Sequence, residues 1–169
     1  TITPERKPFG RMAARWLYLM PLDRAEGETG RRSRLAFRAN GGAVIANGNT
    51  VVPITQLFLS GGDTTVRGYS YQSIGARTDN DKLLGGRYMA SGSLEWQRPI
   101  TIAGNRNDWE HAMFVDAGTV TDSLDEYTVF VGVGTGIRWR SPVGPLQADL
   151  AYGLETKEVR LHLRLGFNF

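Results

Sequence analysis

The chain of 169 residues contains no cysteine and only two histidines. The lack of cysteine excludes a disulfide framework, a thiolate metal site and a cysteine nucleophile. The sequence also has no run of eighteen apolar residues, which excludes a transmembrane helix. A β-strand needs only about 9 to 11 residues to cross a bilayer, so a mean hydropathy of −0.29 does not exclude a membrane protein.

Lysine is scarce as well. Only Lys7, Lys82 and Lys157 contribute to the twenty basic residues, and all the others are arginine. The planar arginine fork can hold carboxylates in a confined polar space, although a GC-rich genome would give the same bias. A sequence pI of about 9.4 permits nucleic-acid binding, but the arginines are scattered over alternate strand positions and form no single stripe. We therefore expect no nucleic-acid partner.

Seven segments alternate between apolar and polar residues with the period of two that is typical of β-strands. In the last of them, Val159, Leu161, Leu163 and Leu165 alternate with polar residues or glycine. The predicted strands are residues 11–20, 34–45, 88–100, 111–120, 129–140, 146–155 and 159–169, with a tight turn at residues 141–145. The sequence thus predicts an all-β, antiparallel fold.

Two features favour an apolar exterior over an apolar interior. The polar strand faces are rich in glycine and arginine, which suits a lumen into which a loop packs. Aromatic residues fall near strand ends, as they do in the interfacial girdles of membrane barrels; they include Trp16, Tyr18, Trp96, Trp139, Tyr152 and Phe169. We therefore predict a transmembrane β-barrel in preference to a soluble β-protein.

The segment 48–87 is too long for a hairpin turn, and a loop of about forty residues is normally functional or disordered. Its apolar and aromatic clusters, such as Leu57 to Leu59, require burial, so we expect the loop to fold back into the lumen. Arg67 lies at its centre, about fifty residues before Asp116. This spacing suggests that a carboxylate on a distant strand captures the arginine.

Four motifs follow one another in the chain: LFLSGGDTTVRGY at 57–69, GSLEW at 92–96, FVDAG at 114–118 and WRSPVGP at 139–145. In this order they resemble the outer-membrane-protein-85 superfamily of BamA and TamA insertases and two-partner-secretion transporters, and its TamA-type branch most of all. The resemblance covers about residues 34–169. It implies that residues 1–169 are the C-terminal part of a larger, sixteen-stranded barrel, and that the first strands and the periplasmic repeat domains are missing.

The resemblance also implies site residues in the loop motif and the lumen, namely Gly61, Gly62, Arg67, Gly68, Tyr69, Glu95, Phe114, Asp116 and Gly118. Arg67 would be the cation at the loop tip, with Glu95 and Asp116 as its luminal partners. Phe114 would support it by packing. The glycines of the loop would permit tight backbone turns.

The end of the chain is expected to carry two further features. Phe167 and Phe169 resemble the aromatic targeting signal of the family, although Arg164 stands where that signal has glycine. Gly166 would weaken the packing of the strand at the barrel seam. The amino end, residues 1–8, does not have the apolar centre of a signal peptide, so we interpret it as a mature or an internal start.

The implied function is the insertion and folding of β-barrel clients, such as autotransporters, in the outer membrane of a Gram-negative bacterium. Expected partners are outer-membrane lipids and a periplasm-spanning protein of the TamB type. A two-partner-secretion transporter or a porin-like channel is the alternative. We expect no enzyme, because no serine and acid lie at a spacing from His111 or His162 that a catalytic triad would need. We also expect no cofactor and no metal site.

Overall fold

The computed structural model describes residues 8–22, 32–47, 50–77, 82–104, 108–142 and 144–166 as one seven-stranded sheet. Its strands are β1 (Phe9–Pro21), β2 (Arg34–Ala46), β3 (Tyr88–Pro99), β4 (Trp109–Thr121), β5 (Phe130–Ser141), β6 (Gly144–Gly153) and β7 (Glu158–Leu165). Every strand pairs antiparallel with the next in the chain. This is the arrangement of an up-and-down barrel, and it confirms the predicted fold class.

The predicted strands are all present, with ends that differ by a few residues. The turn between β5 and β6 is tighter than predicted, because Ser141 already pairs with Gly144 and its hydroxyl donates to the Gly144 carbonyl at 2.6 Å. β6 therefore begins at Gly144 and ends at Gly153, before the turn at residues 154–157. The predicted extension of the last strand, residues 167–169, lies outside the described residues.

The outward face of the sheet is apolar and exposed. On β7, for example, Val159, Leu161 and Leu163 all point outward, and Leu163 is 71% exposed. The same face carries Leu94 on β3, Val115 on β4 and Leu150 on β6, which are exposed too. So large an exposed apolar surface is unfavourable in water and is the normal outer face of a membrane barrel.

The connection between β2 and β3 folds back over the polar face of the sheet. It contains one turn of 3-10 helix, Ile54–Gln56, and the described residues include no helix long and apolar enough to span a membrane. Isolated bridges join Phe58 to Gly86 and Ser60 to Ile74. The apolar core lies between this loop and the sheet and comprises Val44, Phe58, Val66, Tyr69, Ile74 and Val120.

The sheet is open on both sides in the part of the chain that the structure describes. There, β1 pairs only with β2, and β7 pairs only with β6. The outer edges of these two strands carry backbone N–H and C=O groups that have no strand partner within the described residues.

Candidate functional site

The loop lies on a strip of glycine along the polar faces of β4 and β5. A Cβ at Gly132 would overlap the carbonyl oxygen of Arg67, and one at Gly118 would come within 2.7 Å of Val66 Cγ2. At Gly134 a Cβ would approach the Phe114 ring to 2.5 Å. Gly118 and Gly132 therefore allow the loop to touch the sheet, and Gly134 leaves room for the Phe114 ring.

The loop reverses direction through the residues around Arg67. The Gly62 N–H donates to the Val66 carbonyl at 3.0 Å, and the Gly61 N–H donates to Thr65 Oγ1 at 2.8 Å. Gly68 has φ +94°, a conformation that favours glycine, and a Cβ there would come within 2.7 Å of the backbone nitrogen of Gly153. These contacts fix the backbone on both sides of Arg67.

Arg67 is 2% exposed, and three carboxylates hold its guanidinium. Its Nε and Nη2 donate to the two oxygens of Asp116 at 2.7 and 2.9 Å. Its Nη1 donates to Glu95 Oε2 at 2.7 Å and to Asp149 Oδ2 at 3.0 Å. These bidentate, charge-assisted bonds are the geometry that an arginine fork favours.

Arginines 138 and 38 supply the rest of the positive charge. Arg138 Nη2 donates to Glu95 Oε1 at 3.0 Å, and Arg138 Nη1 is bonded to the Asp149 carboxylate. Arg38 Nη2 lies 3.8 Å from Glu95 Oε2. Three arginines and three carboxylates thus form one network, in which Arg38 is partly exposed and the other five side chains are buried. Removing Arg67 would leave the Asp116 carboxylate buried without its cation.

Phe114 forms a wall of the Arg67 site. The guanidinium carbon lies 3.3 Å from the centroid of the Phe114 ring, a cation–π contact. Burial alone would lower the pKa of Arg67, but the hydrogen bonds and charges of Asp116 and Glu95 outweigh burial and hold that pKa above its ordinary value. Arg67 is therefore charged at any physiological pH.

Tyr69 anchors the loop beyond Arg67. Its hydroxyl donates to the Val131 carbonyl at 3.0 Å and contacts the Glu155 carboxylate. Its ring meets the Phe130 ring edge-on, with 5.6 Å between centroids. Phe130 is the residue that breaks the alternation of β5, and this contact explains its place on the polar face.

The last strand also holds the loop. Arg164 Nε donates to Asp63 Oδ2 at 2.9 Å, and Arg164 Nη2 donates to the Asp63 carbonyl at 2.6 Å. The Gly68 N–H donates to His162 Nε2 at 3.0 Å. The loop therefore contacts every strand from β3 to β7, either through the Arg67 network or through these bonds.

The structure brings Arg67, Glu95, Phe114 and Asp116 together as the resemblance implies. Sequence reasoning missed Asp149 and Arg138, although both are charged residues on the polar faces of adjacent strands. Their partnership depends on strand register. Asp149 lies opposite Gly136, and Arg138 is the next residue of β5 on the same face as Gly136, so the two charged side chains are neighbours. No group of three acidic or histidine side chains within the described ranges is arranged for a metal ion.

The features expected at the carboxyl end are only partly described. The Gly166 N–H donates to the Pro145 carbonyl at 2.9 Å, on the β6 side of the strand end. Its expected role at a barrel seam stays a prediction. Phe167 and Phe169 lie outside the described residues, and the targeting signal stays a prediction as well.

Residues 4–169 match the family model of the Omp85 superfamily domain. The chain belongs to the Omp85 superfamily. Outer membrane protein assembly factor BamA of Nitratidesulfovibrio vulgaris is 35% identical over 128 residues, which are 73% of this chain and 16% of that protein. The protein of the same name from Neorickettsia risticii is 32% identical over 97 residues, 53% of this chain and 13% of that protein.

A solved relative has the same fold. The crystal structure of BamA from Haemophilus ducreyi lacking POTRA domains 1-3 matches with a TM-score of 0.74 and 22% identity, over 96% of this chain and 35% of that one. The Omp85 chain described here thus spans about a third of that structure and less than a fifth of the two curated relatives. The more specific resemblance to the TamA-type branch stays a prediction.

Proposed function

We propose that this Omp85 chain is part of the barrel of a protein assembly factor in the outer membrane of a Gram-negative bacterium, and that its parent inserts and folds other outer-membrane β-barrel proteins. The observation that carries the proposal is the long loop held on the polar face of the sheet by the buried Arg67 network. The names of the two curated relatives support the same function.

The long loop stabilises the sheet for this task. Contacts from Arg67, Tyr69 and Asp63 to the sheet, together with the apolar core between the loop and the sheet, keep the strands in register. If the barrel of the parent opens at a seam, the exposed strand edge can pair with the unfolded strand of a client through backbone hydrogen bonds. This action requires no covalent step, so we propose no enzymatic activity and no cofactor.

Autotransporters are the client class that we propose first, with a periplasm-spanning protein of the TamB type as a helper and outer-membrane lipids around the apolar face.

A secretion pore or a porin-like channel remains the alternative function. The buried loop argues against it, because Val66, Arg67 and Tyr69 are almost fully buried against the polar face. In a porin that face lines a water-filled channel. We therefore expect the parent to conduct ions poorly.

The proposal is tested with the full-length parent in lipid vesicles to which a urea-unfolded β-barrel client is added. Folded client is scored by its resistance to heat and detergent during electrophoresis. We expect the parent to accelerate client folding and the Arg67→Glu variant to lose most of this acceleration, because a fourth carboxylate enters the network. Arg140→Gln is the matched control, since Arg140 is an exposed arginine of the same sheet.

Conductance of the same vesicles distinguishes the alternative. Small, intermittent currents together with accelerated client folding support the assembly function. A large, steady current with no effect on client folding would contradict the assembly function and indicate a channel.

A further inference from the structure

Arg98 and His111 form a polar pair on the otherwise apolar outward face. They lie directly opposite each other in the register of β3 and β4. The guanidinium carbon of Arg98 is 5.7 Å from the centroid of the Trp96 ring, and His111 Nε2 is 2.7 Å from Thr135 Oγ1. In the part of the chain that the structure describes, no carboxylate forms an ion pair with Arg98.

This pair lies at the headgroup level of a membrane. Arg98 is the penultimate residue of β3, at the end of the sheet that carries the tight β5–β6 turn, whereas the long β2–β3 loop leaves from the other end. Outer-membrane barrels have short turns on the periplasmic side. An arginine on the lipid side at this level can extend its charge to lipid phosphates.

An apolar groove of about 470 Å³ begins beside the pair. Its walls include Trp109, Ile137, Trp139, Leu146, Leu163 and Leu165. Trp109 and Trp139 stack face to face, with 5.2 Å between ring centroids. Trp109 precedes His111 by one outward-facing position on β4, so the groove and the polar pair are continuous on one surface.

We propose that this surface binds one phospholipid of the periplasmic leaflet that carries a net negative charge. Its phosphate contacts Arg98 and His111, and one acyl chain lies in the groove. Three to four strand spacings, about 14 to 19 Å, separate β3 from the groove walls on β6 and β7, a distance that the length of a single phospholipid covers. The groove selects a lipid over free phosphate, and the uncompensated charge of Arg98 selects an anionic headgroup. The inference rests on the proposed membrane location, but not on the assembly activity.

Native mass spectrometry of the detergent-solubilised, full-length parent tests the proposal, with phosphatidylglycerol as the probe. We expect the wild type to retain phosphatidylglycerol, and Arg98→Gln to weaken retention about tenfold because a charge-assisted contact is lost. Arg140→Gln is the matched control: it removes the same charge from the same end of the sheet, but on the luminal face. It should retain phosphatidylglycerol as the wild type does.

Several results would overturn the lipid site. Equal weakening by Arg98→Gln and Arg140→Gln would indicate a general charge effect, and displacement of the lipid by millimolar inorganic phosphate would indicate a simple anion site. If Arg98→Gln does not fold, the wild type is compared with phosphatidylglycerol and with diacylglycerol, which lacks the phosphate. Equal retention of both contradicts the proposal.

The assay of client folding separates this inference from the proposed function. Retention of phosphatidylglycerol by a parent that fails to accelerate client folding would contradict the assembly function and leave the lipid site in place.

Discussion

One carboxylate, Asp116, receives three hydrogen bonds from one residue of the loop, Arg67. The side-chain Nε and Nη2 donate at 2.7 and 2.9 Å, and the backbone N–H of Arg67 donates at 3.1 Å. Asp116 therefore fixes both the guanidinium and the backbone of the loop tip. A side chain of the sheet thus determines where a loop 49 residues earlier in the chain comes to lie.

Arg67→Lys tests whether the planar fork is needed in addition to the charge. Lysine keeps the charge but cannot bind Asp116 with two parallel bonds while also reaching Glu95. We expect the free energy of unfolding to fall by about 1.5 to 3 kcal/mol, measured by reversible urea unfolding of the parent in vesicles. Arg140→Lys should change it by less than about 0.5 kcal/mol. Equal changes at both positions would mean that the fork geometry is unimportant.

Gly132→Ala tests the contact between the loop and the glycine strip. The added methyl group would overlap the carbonyl oxygen of Arg67, so the loop must shift. We expect a loss of about 1 to 3 kcal/mol and faster cleavage of the loop by added protease. Gly41→Ala on β2 is the control, since a Cβ there meets no atom within 4 Å. A loop that stays protected in Gly132→Ala would show that the contact is not needed.

Val115→Arg tests the assignment of the outward face to lipid. Val115 is at the middle of β4 and 50% exposed. An arginine at the bilayer midplane costs about 2 to 4 kcal/mol, but only about 0 to 1 kcal/mol near an interface. Ile45→Arg, next to the end of β2, is the matched control. The free energy of unfolding in vesicles should fall more in Val115→Arg than in Ile45→Arg. Equal losses in the two variants would mean that this face does not contact lipid.

The bond between Asp63 and Arg164 should couple the loop to the last strand. Both side chains are partly exposed, so each single change, Asp63→Asn or Arg164→Gln, is expected to cost only about 0 to 1 kcal/mol. Hydrogen exchange of the β7 amides should nevertheless accelerate in both variants. The exchanged pair Asp63→Arg with Arg164→Asp should recover part of the protection. Unchanged exchange in the single variants would mean that the loop does not hold β7.

The strands and their faces could be predicted because alternation with period two is a local property. A segment such as 159–165 identifies its own apolar face, and the apolar clusters of the long loop indicate that the loop must be buried. The tight turn after Ser141 was less predictable, because residues 144 and 145 look like turn residues. The pairing of Gly144 with Ser141 and of Pro145 with Arg140 includes them in β6.

The site was less accessible to sequence reasoning. The sequence spacing indicated that a distant carboxylate captures Arg67, and the resemblance to a family identified Glu95 and Asp116 as its partners. Spacing alone does not select Asp116 over Asp149. Asp149 and Arg138 become partners of the network only through the register of β5 and β6. Register depends on tertiary packing of whole strands and turns, which a single sequence does not reveal.

The most direct test of the account is a double-mutant cycle between Arg67 and Asp116, measured as the free energy of unfolding of the parent in vesicles. Each alanine variant should be strongly destabilised, because it leaves buried charges without a partner. If the two side chains hold the loop together, the coupling energy should be at least about 1.5 kcal/mol. A coupling energy within about 0.5 kcal/mol of zero would show that they act independently and would contradict the account.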